Sequence, residues 1–212
     1  MTHRLRIIII ALGGIGVMLA GQANAVTFTF QENGSNANLG ATSIFSHGGL
    51  SLTVSGFLTG GGSTALYAKN LGFAETGLGL ARDPSGDNEI TNDDFVQLTL
   101  PTTPPSTFNM VVAASVQPGE SALVYFTTIA GSLTGATLLG TITTEGGSIT
   151  IPAGDQIGFL DITAGSHNVL LQSVTFTPTT VPDTGSTLAL LGMALVGTEG
   201  LRRMVRAGHG VR

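Results

Sequence analysis

An acidic stretch in the middle of the chain has the clearest capacity for chemistry. Seven carboxylate or carboxamide side chains occur within twelve residues: Asp83, Asp87, Asn88, Glu89, Asn92, Asp93 and Asp94. Ca²⁺ takes about six to eight oxygen ligands in flexible geometry, so this stretch is a candidate calcium site. The candidate ligands are Asp83, Asp87, Glu89, Asp93 and Asp94. The residue order is not that of an EF-hand, and a solvated turn stabilised by Asx hydrogen bonds is the alternative.

Other titratable residues give no recognisable catalytic set. A glycosidase needs two carboxylates that face each other across a cleft. The candidates for that role are Glu75, Glu120, Glu145, Asp155 and Asp161, and no two of them form a pair that spacing would identify. His47 and His167 are each isolated, and cysteine is absent, which excludes thiol catalysis and thiolate metal sites. We therefore predict that the protein is not an enzyme and assign no catalytic residues.

Binding of extracellular polysaccharide is an open alternative. Sugars stack on flat aromatic faces, and an amphipathic ring can offer such a face at a surface. Tryptophan is absent, so Tyr67 and Tyr125 are the candidate rings. The ten phenylalanines mostly lie in strand-like runs, where we expect them in the core.

Charge is distributed unevenly over the 212 residues. Of the eight basic residues, Arg4 and Arg6 lie near the start and four arginines lie beyond residue 200. Residues 26–186 keep Lys69 and Arg82 against twelve acids, which gives that part a formal net charge of −10 (two minus twelve). Nucleic acids and anionic lipids need clustered Lys and Arg, so this charge disfavours either as a partner of the body.

The elements that position these residues are predicted to be β-strands. Charged residues make up only 10% of the chain, glycine contributes 31 residues, and no helical period of useful length occurs between residues 26 and 180. Apolar and β-branched runs alternate with Gly, Pro, Asn and Asp about every ten residues. The pattern predicts a single all-β body over residues 26–180, an antiparallel β-sandwich or jelly roll. The predicted strands cover residues 26–30, 50–58, 64–68, 95–100, 108–116, 122–129, 136–143, 148–151, 156–163 and 168–176.

Residues 1–25 have the order of a secretory signal peptide. Arg4 and Arg6 form a basic start, residues 7–20 are almost entirely apolar, and Ala23-Asn24-Ala25 supplies small residues at the positions that a signal peptidase reads. We predict a signal helix, export through the Sec machinery, and cleavage by signal peptidase after Ala25. An uncleaved anchor is the alternative, and the apolar run is short for a membrane span.

The C-terminal residues 181–212 have three parts. A polar turn (Val181, Pro182, Asp183, Thr184, Gly185 and Ser186) precedes an apolar stretch, which is followed by a basic end at 202–212 that contains Arg202, Arg203 and Arg206. We predict a transmembrane helix over about 187–201, with the arginines as a stop on the cytoplasmic side. Glu199 interrupts the apolar stretch, so a helix that lies on the membrane surface is the alternative.

This tail resembles the PEP-CTERM sorting tails, in particular the variant with a V-P-D-S-G-S motif, with Thr184 in place of the usual serine. The resemblance implies that exosortase, an integral-membrane enzyme, recognises the tail and that this chain is its substrate. The body is similar to the β-sandwich domains that precede such tails, through Gly77-Leu78-Gly79-Leu80, Asp87-Asn88-Glu89-Ile90 and Asp94-Phe95-Val96-Gln97-Leu98.

Together these features predict an exported surface or extracellular-matrix protein. The resemblance associates it with exopolysaccharide and biofilm production and places it transiently in the inner membrane before exosortase processing. A calcium- or glycan-binding β-sandwich module is the alternative function, and a glycoside hydrolase-like enzyme is a third.

Overall fold

The computed structural model describes residues 24–30, 36–72, 75–81, 86–99, 106–151 and 158–178. These residues form fourteen strands and no helix, which confirms the all-β prediction for the body. The strands are β1 (Val26–Thr29), β2 (Ala37–Gly40), β3 (Thr42–His47), β4 (Leu50–Leu58), β5 (Ser63–Thr64), β6 (Leu66–Asn70), β7 (Thr76–Leu80), β8 (Asp94–Thr99), β9 (Ser106–Ala114), β10 (Ser121–Thr127), β11 (Thr137–Ile142), β12 (Ser148–Thr150), β13 (Phe159–Ser166) and β14 (Leu170–Pro178).

The strands form two antiparallel sheets. The first sheet has the order β12-β9-β14-β7-β6-β2, and β1 also pairs with β14. The second has the order β11-β10-β13-β8-β4-β3, and β5 also pairs with β4. Non-consecutive neighbours such as β14-β7 and β13-β8 show that the chain crosses between the sheets repeatedly, as in a sandwich.

Strict alternation along the strands produces the core between the sheets. In β4 the side chains of Leu50, Leu52 and Val54 are buried, and Ser51 and Thr53 between them face outward. Facing strands contribute Leu78, Leu80, Val174 and Phe176 from the first sheet to the same apolar cluster. Burial of these side chains stabilises the fold by about 1.5–3 kcal/mol for each large one.

The predicted strand positions are largely confirmed, and the differences have a physical cause. β4 occupies the predicted residues, and β1, β8, β9, β10, β11, β12, β13 and β14 shift by a few residues at their ends. The prediction lacked β2, β3 and β7. Thr76–Leu80 (TGLGL) contains two glycines, which give the segment a low intrinsic strand propensity. Its strand conformation is stabilised by pairing with the neighbouring strands of the sheet.

The predicted terminal segments lie outside the described residues. These are the signal helix, the sorting motif 181–186, the apolar stretch 187–201 and the basic end. Ala23 also lies outside them, whereas Ala25 is exposed and directly precedes β1. Within the described part of the chain, no helix is long and apolar enough to cross a bilayer.

A buried carboxyl group lies on the outer face of the second sheet. Asp161 is fully buried inside β13, and its Oδ1 accepts a hydrogen bond of 2.8 Å from Gln97 Nε2 on the neighbouring β8. Gln97 Oε1 in turn accepts a bond from the backbone N–H of Gly131, in the connection between β10 and β11. Among the described residues, Asp161 Oδ2 has no hydrogen-bond partner. Burial raises the pKa of Asp161 to about 7, and the Gln97 hydrogen bond only partly opposes this.

This pKa predicts a pH-dependent effect of Asp161→Asn. Because the folded-state pKa is raised, the native state binds a proton that the unfolded state loses between about pH 4 and 7, and stability falls as the pH rises through that window. Asparagine resembles the protonated acid. The variant should therefore match the wild type near pH 3.5 and exceed its free energy of unfolding at pH 8, by up to about 4 kcal/mol.

Urea denaturation at both pH values measures the effect. The difference between variant and wild type isolates Asp161 from the other carboxyl groups, which titrate equally in both proteins. An equal difference at the two pH values would contradict the assignment.

Candidate functional site

A buried lysine is at the centre of the candidate site. Lys69 is the only lysine of the chain, lies in β6, and is 5% exposed. Its neighbours Leu66 and Ala68 on the same strand face the core, so alternation places Tyr67 and Lys69 on the outer face of the first sheet. A buried ammonium group needs paired charges and hydrogen bonds, because desolvation is expensive.

Two carboxylates compensate this charge. Lys69 Nζ lies 2.6 Å from Glu89 Oε1 and 2.5 Å from Glu75 Oε2. Glu89 is as deeply buried as the lysine, whereas Glu75 is about one-third exposed. Ser115 Oγ donates a hydrogen bond of 2.9 Å to Glu89 Oε1 and lies 3.2 Å from Glu75 Oε1. We call Lys69, Glu75, Glu89 and Ser115 the Lys69 cluster.

The pKa values of the cluster diverge. Burial opposes the charge on Lys69, but its hydrogen bonds to Glu75 and Glu89 outweigh that effect and raise its pKa. The hydrogen bond from Lys69 lowers the pKa of Glu75. Desolvation raises the pKa of Glu89 despite the nearby ammonium group. Of the two acids, Glu75 is therefore the stronger and Glu89 more readily holds a proton.

Glycines bring Glu89 to Lys69. Lys69 pairs with Gly77 of β7, and Tyr67 pairs with Gly79. The segment before Ile90 lies directly on Gly79, where an added Cβ atom would lie 2.8 Å from Glu89 Cα and still closer to the carbonyl oxygen of Asn88. Because β7 carries no side chain at Gly79, Glu89 can reach across this strand to β6.

A cleft of about 380 Å³ opens beside the cluster. Connections between strands supply most of its lining: Leu71, Glu75, Asp87, Glu89, Ser115, Gln117, Glu120, His167 and Asn168, together with Lys69. A smaller cavity of about 120 Å³ shares Lys69, Leu71 and Asp87 and adds the Tyr67 ring.

Backbone conformation also marks this region. Among the described residues, Asn88, Ser115 and His167 are the non-glycine residues with positive φ, at 56–58°. Ser115 and His167 line the larger cavity, and Asn88 lines the smaller one. Such conformations are uncommon for non-glycine residues and cluster at functional sites.

The described calcium candidates lie in two places, with Asp87 and Glu89 at the cleft and Asp93 and Asp94 at the start of β8. Glu89 belongs to the Lys69 cluster, Asp87 is on the exposed rim of the cleft, and Asp83 lies outside the described residues. Asp94 Oδ1 is buried and accepts a hydrogen bond of 2.7 Å from the backbone N–H of Thr91. Asp93 is exposed, and its carbonyl oxygen accepts from Thr59. In the described part of the chain, no group of three or more His, Asp or Glu side chains could hold a metal ion. Calcium binding stays a prediction.

The other candidate residues are divided between the cleft and distant surfaces. Glu75, Glu120 and His167 meet at the cleft, whereas His47 is exposed at the end of β3 and Asp155 lies outside the described residues. Glu145 accepts from the backbone N–H of Val116, and Glu120 from that of Gln117, so both cap a turn. Of the two tyrosines, Tyr67 borders the smaller cavity and Tyr125 is half-buried on β10 of the other sheet.

Sequence reasoning missed Lys69 and Ser115. A signal was present for the lysine: the only lysine of the chain follows Tyr67 and Ala68 inside an apolar strand, where a charged side chain needs a partner. Nothing local marks Ser115, because its partners are 26 and 40 residues away.

Comparison with known proteins identifies the C-terminal segment. Residues 180–204 match the VPDSG-CTERM motif, a PEP-CTERM-like sorting signal, which confirms the resemblance drawn from the sequence. This motif implies an exported protein that exosortase processes. No curated protein and no solved structure matches the chain.

The packing of Asn88 and Glu89 on Gly79 generates a stability prediction. Gly79→Ala should lower the free energy of unfolding by about 1–3 kcal/mol, because the new methyl group collides with backbone that cannot move without opening the Lys69 cluster. Gly60→Ala is the matched control, since a Cβ atom there would meet no atom within 4 Å. Chemical denaturation of both variants measures the difference, and equal stabilities would contradict the described packing.

Proposed function

We propose that this chain, which ends in a VPDSG-CTERM sorting motif, is a structural protein of the cell surface or the exopolysaccharide matrix. The motif at residues 180–204 carries the proposal, because it directs an exported protein to exosortase. The β-sandwich is then the part delivered outside the cell. Its proposed role is structural rather than enzymatic.

The body is well suited to such a role. Its core is continuous between two antiparallel sheets, and its outer faces carry hydroxyl groups, for example the hydrogen-bonded pair Thr27 and Thr175 and the pair Thr42 and Ser55. Neutral hydroxyl surfaces of this kind hydrogen-bond readily to hydrated polysaccharide. The negative charge of the body keeps it soluble among similar chains.

Processing by exosortase predicts a defined mature protein. Surface protein from the native host should begin at Val26 and lack residues 187–212 by intact mass, and it should fractionate with the extracellular matrix.

Pro182→Ala combined with Asp183→Ala should leave the uncut chain in the inner membrane, because the altered turn is no longer recognised. Thr179→Ala, just before the motif, is the control and should be processed normally.

Replacement of Arg202, Arg203 and Arg206 by serine separates anchoring from recognition. Without the basic stop, uncut protein should appear outside the inner membrane, since charged residues oppose transfer across the bilayer. Surface protein that still carries residues 187–212 in the presence of the sorting enzyme would contradict the proposed processing.

A glycan-binding module is the second candidate, and the cleft at the Lys69 cluster favours it. The two adjoining cavities combine the ring of Tyr67 with the polar side chains of Glu120, His167 and Asn168. An apolar face beside a few hydrogen-bonding groups is the usual composition of a small-ligand site.

Calorimetric titration with exopolysaccharide fragments from the host tests this candidate. Tyr67→Ala should weaken binding by about fivefold or more, since one stacked ring contributes about 1 kcal/mol or more. Tyr125→Ala, on the other sheet, should leave the affinity unchanged. Equal losses in both variants, or no heat with any fragment, would exclude a site at this cleft.

A further inference from the structure

The Lys69 cluster contains the parts of a condensation reaction. Lys69 Nζ is a nucleophile once it loses a proton, and the Glu89 carboxyl group, 2.6 Å away, is the potential acceptor. Both side chains are 6% exposed. Glu75 Oε2 contacts the amine at 2.5 Å, and Ser115 Oγ lies 3.2 Å from Glu75 Oε1 and 2.9 Å from Glu89 Oε1, so both acids meet at the amine and at the same hydroxyl group.

We propose that Lys69 Nζ and the side-chain carboxyl group of Glu89 condense to an amide, which links β6 covalently to the segment before β8. The new bond joins Nζ to Glu89 Cδ, and the bond from Cδ to one carboxyl oxygen breaks. That oxygen leaves as water. An ammonium and a carboxylate become an amide and one water, so the step needs no oxidant, reductant or activated donor.

Two protons leave Lys69 Nζ in this step. The first passes from the ammonium group to Glu89, which leaves a neutral amine beside a carboxylic acid. The Glu75 carboxylate accepts the second as the nitrogen attacks Glu89 Cδ, and returns it to the departing oxygen, which then leaves as water. The hydrogen bond from Lys69 keeps Glu75 ionised as a base, and burial favours the protonated, more electrophilic form of Glu89. The raised pKa of Lys69 opposes the reaction, because the nitrogen attacks only after the ammonium group has lost a proton to a neighbouring carboxylate.

Folding supplies the driving force. Two groups held in contact have effective molarities of about 10⁵–10⁸ M, so the entropy that opposes condensation in solution has already been lost. The attraction within the buried ion pair offsets only part of the cost of removing its charges from water, and a neutral amide avoids that cost. The hydrogen bond from Ser115 Oγ to Glu89 Oε1 restrains the reacting carboxyl group.

Glu89 is favoured over Glu75 as the acceptor for two reasons. The Glu89 side chain is buried, whereas the Glu75 side chain is one-third exposed and is more readily hydrated. A bond to Glu75 would also only close the short turn between β6 and β7, while Glu89 is twenty residues away in sequence and is already pressed onto β7.

Mass spectrometry of the purified full chain, unfolded before digestion, tests the proposal directly. Because Lys69 is the only lysine, a free side chain allows trypsin to release the peptide 70–82. In the cross-linked chain this peptide should be missing. A species one water lighter should instead join Lys69 to Glu89, and an amine-reactive reagent should label only the N-terminus.

Variants separate the cross-link from simple ion pairing. Lys69→Arg keeps the charge but cannot form the amide under these conditions, so it should have the full mass. Glu75→Gln should reduce the linked fraction strongly, because general acid–base groups contribute about 100-fold or more to rate. Glu120→Gln changes a cleft carboxylate that caps Gln117 instead, and should leave the linked fraction unchanged.

The wild-type measurement is decisive even where a variant fails to fold. A full-mass wild type that releases the peptide 70–82 would show an ion pair only and overturn the proposal. A link to Glu75 would overturn the assignment of Glu89, and equal losses in Glu75→Gln and Glu120→Gln would overturn the proton-transfer role. None of these outcomes bears on exosortase processing, which concerns the tail.

Discussion

The burial of one ammonium group constrains much of the first sheet. Lys69 leaves water on folding, and this is tolerable only if carboxylates meet it at hydrogen-bonding distance. Glu75 must therefore lie at the start of β7, and the chain after β7 must return across that strand to deliver Glu89. The return path requires Gly79, and the restraint on Glu89 requires Ser115 at the end of β9. A single desolvated charge thus fixes the relative positions of segments that are far apart in sequence.

The second sheet also buries a titratable side chain, but the partner of that side chain is neutral. Asp161 and Gln97 pair across β13 and β8, and Gln97 also holds the connection after β10 through Gly131. In both sheets the polar group lies on the outer face under a connecting segment, while the space between the sheets is apolar. A polar side chain buried between the sheets would need hydrogen-bond partners from the side chains of both sheets. Under a connection, the backbone N–H groups of the covering chain can satisfy them.

The sequence was sufficient for features set by local periodicity and insufficient for those set by distant partners. Alternation in Leu50–Leu58 predicts a strand with its core face, and the structure shows both. Glu89 was instead grouped with its acidic neighbours as a calcium ligand, because sequence proximity suggests a shared loop surface. Its burial depends on Lys69, twenty residues earlier, and on a glycine gap in a strand that the local sequence did not predict. The C-terminal signal was predictable, since recognition there depends on a short linear motif.

The absence of cysteine gives the Lys69 cluster a wider significance. An exported β domain often gains stability from disulfides, which constrain the unfolded chain, and this chain has none. A buried ion cluster is a poor substitute for a disulfide, because the attraction between its charges does little more than offset the cost of removing them from water. Such a cluster contributes more to the specificity of the fold than to its stability. The proposed amide changes that balance. By the chain-entropy argument, closing a loop of about twenty residues destabilises the unfolded state by about 3 kcal/mol, as a disulfide of the same span would. Unlike a disulfide, the amide resists reduction, so a domain stabilised in this way would keep its fold in oxidising and reducing surroundings alike.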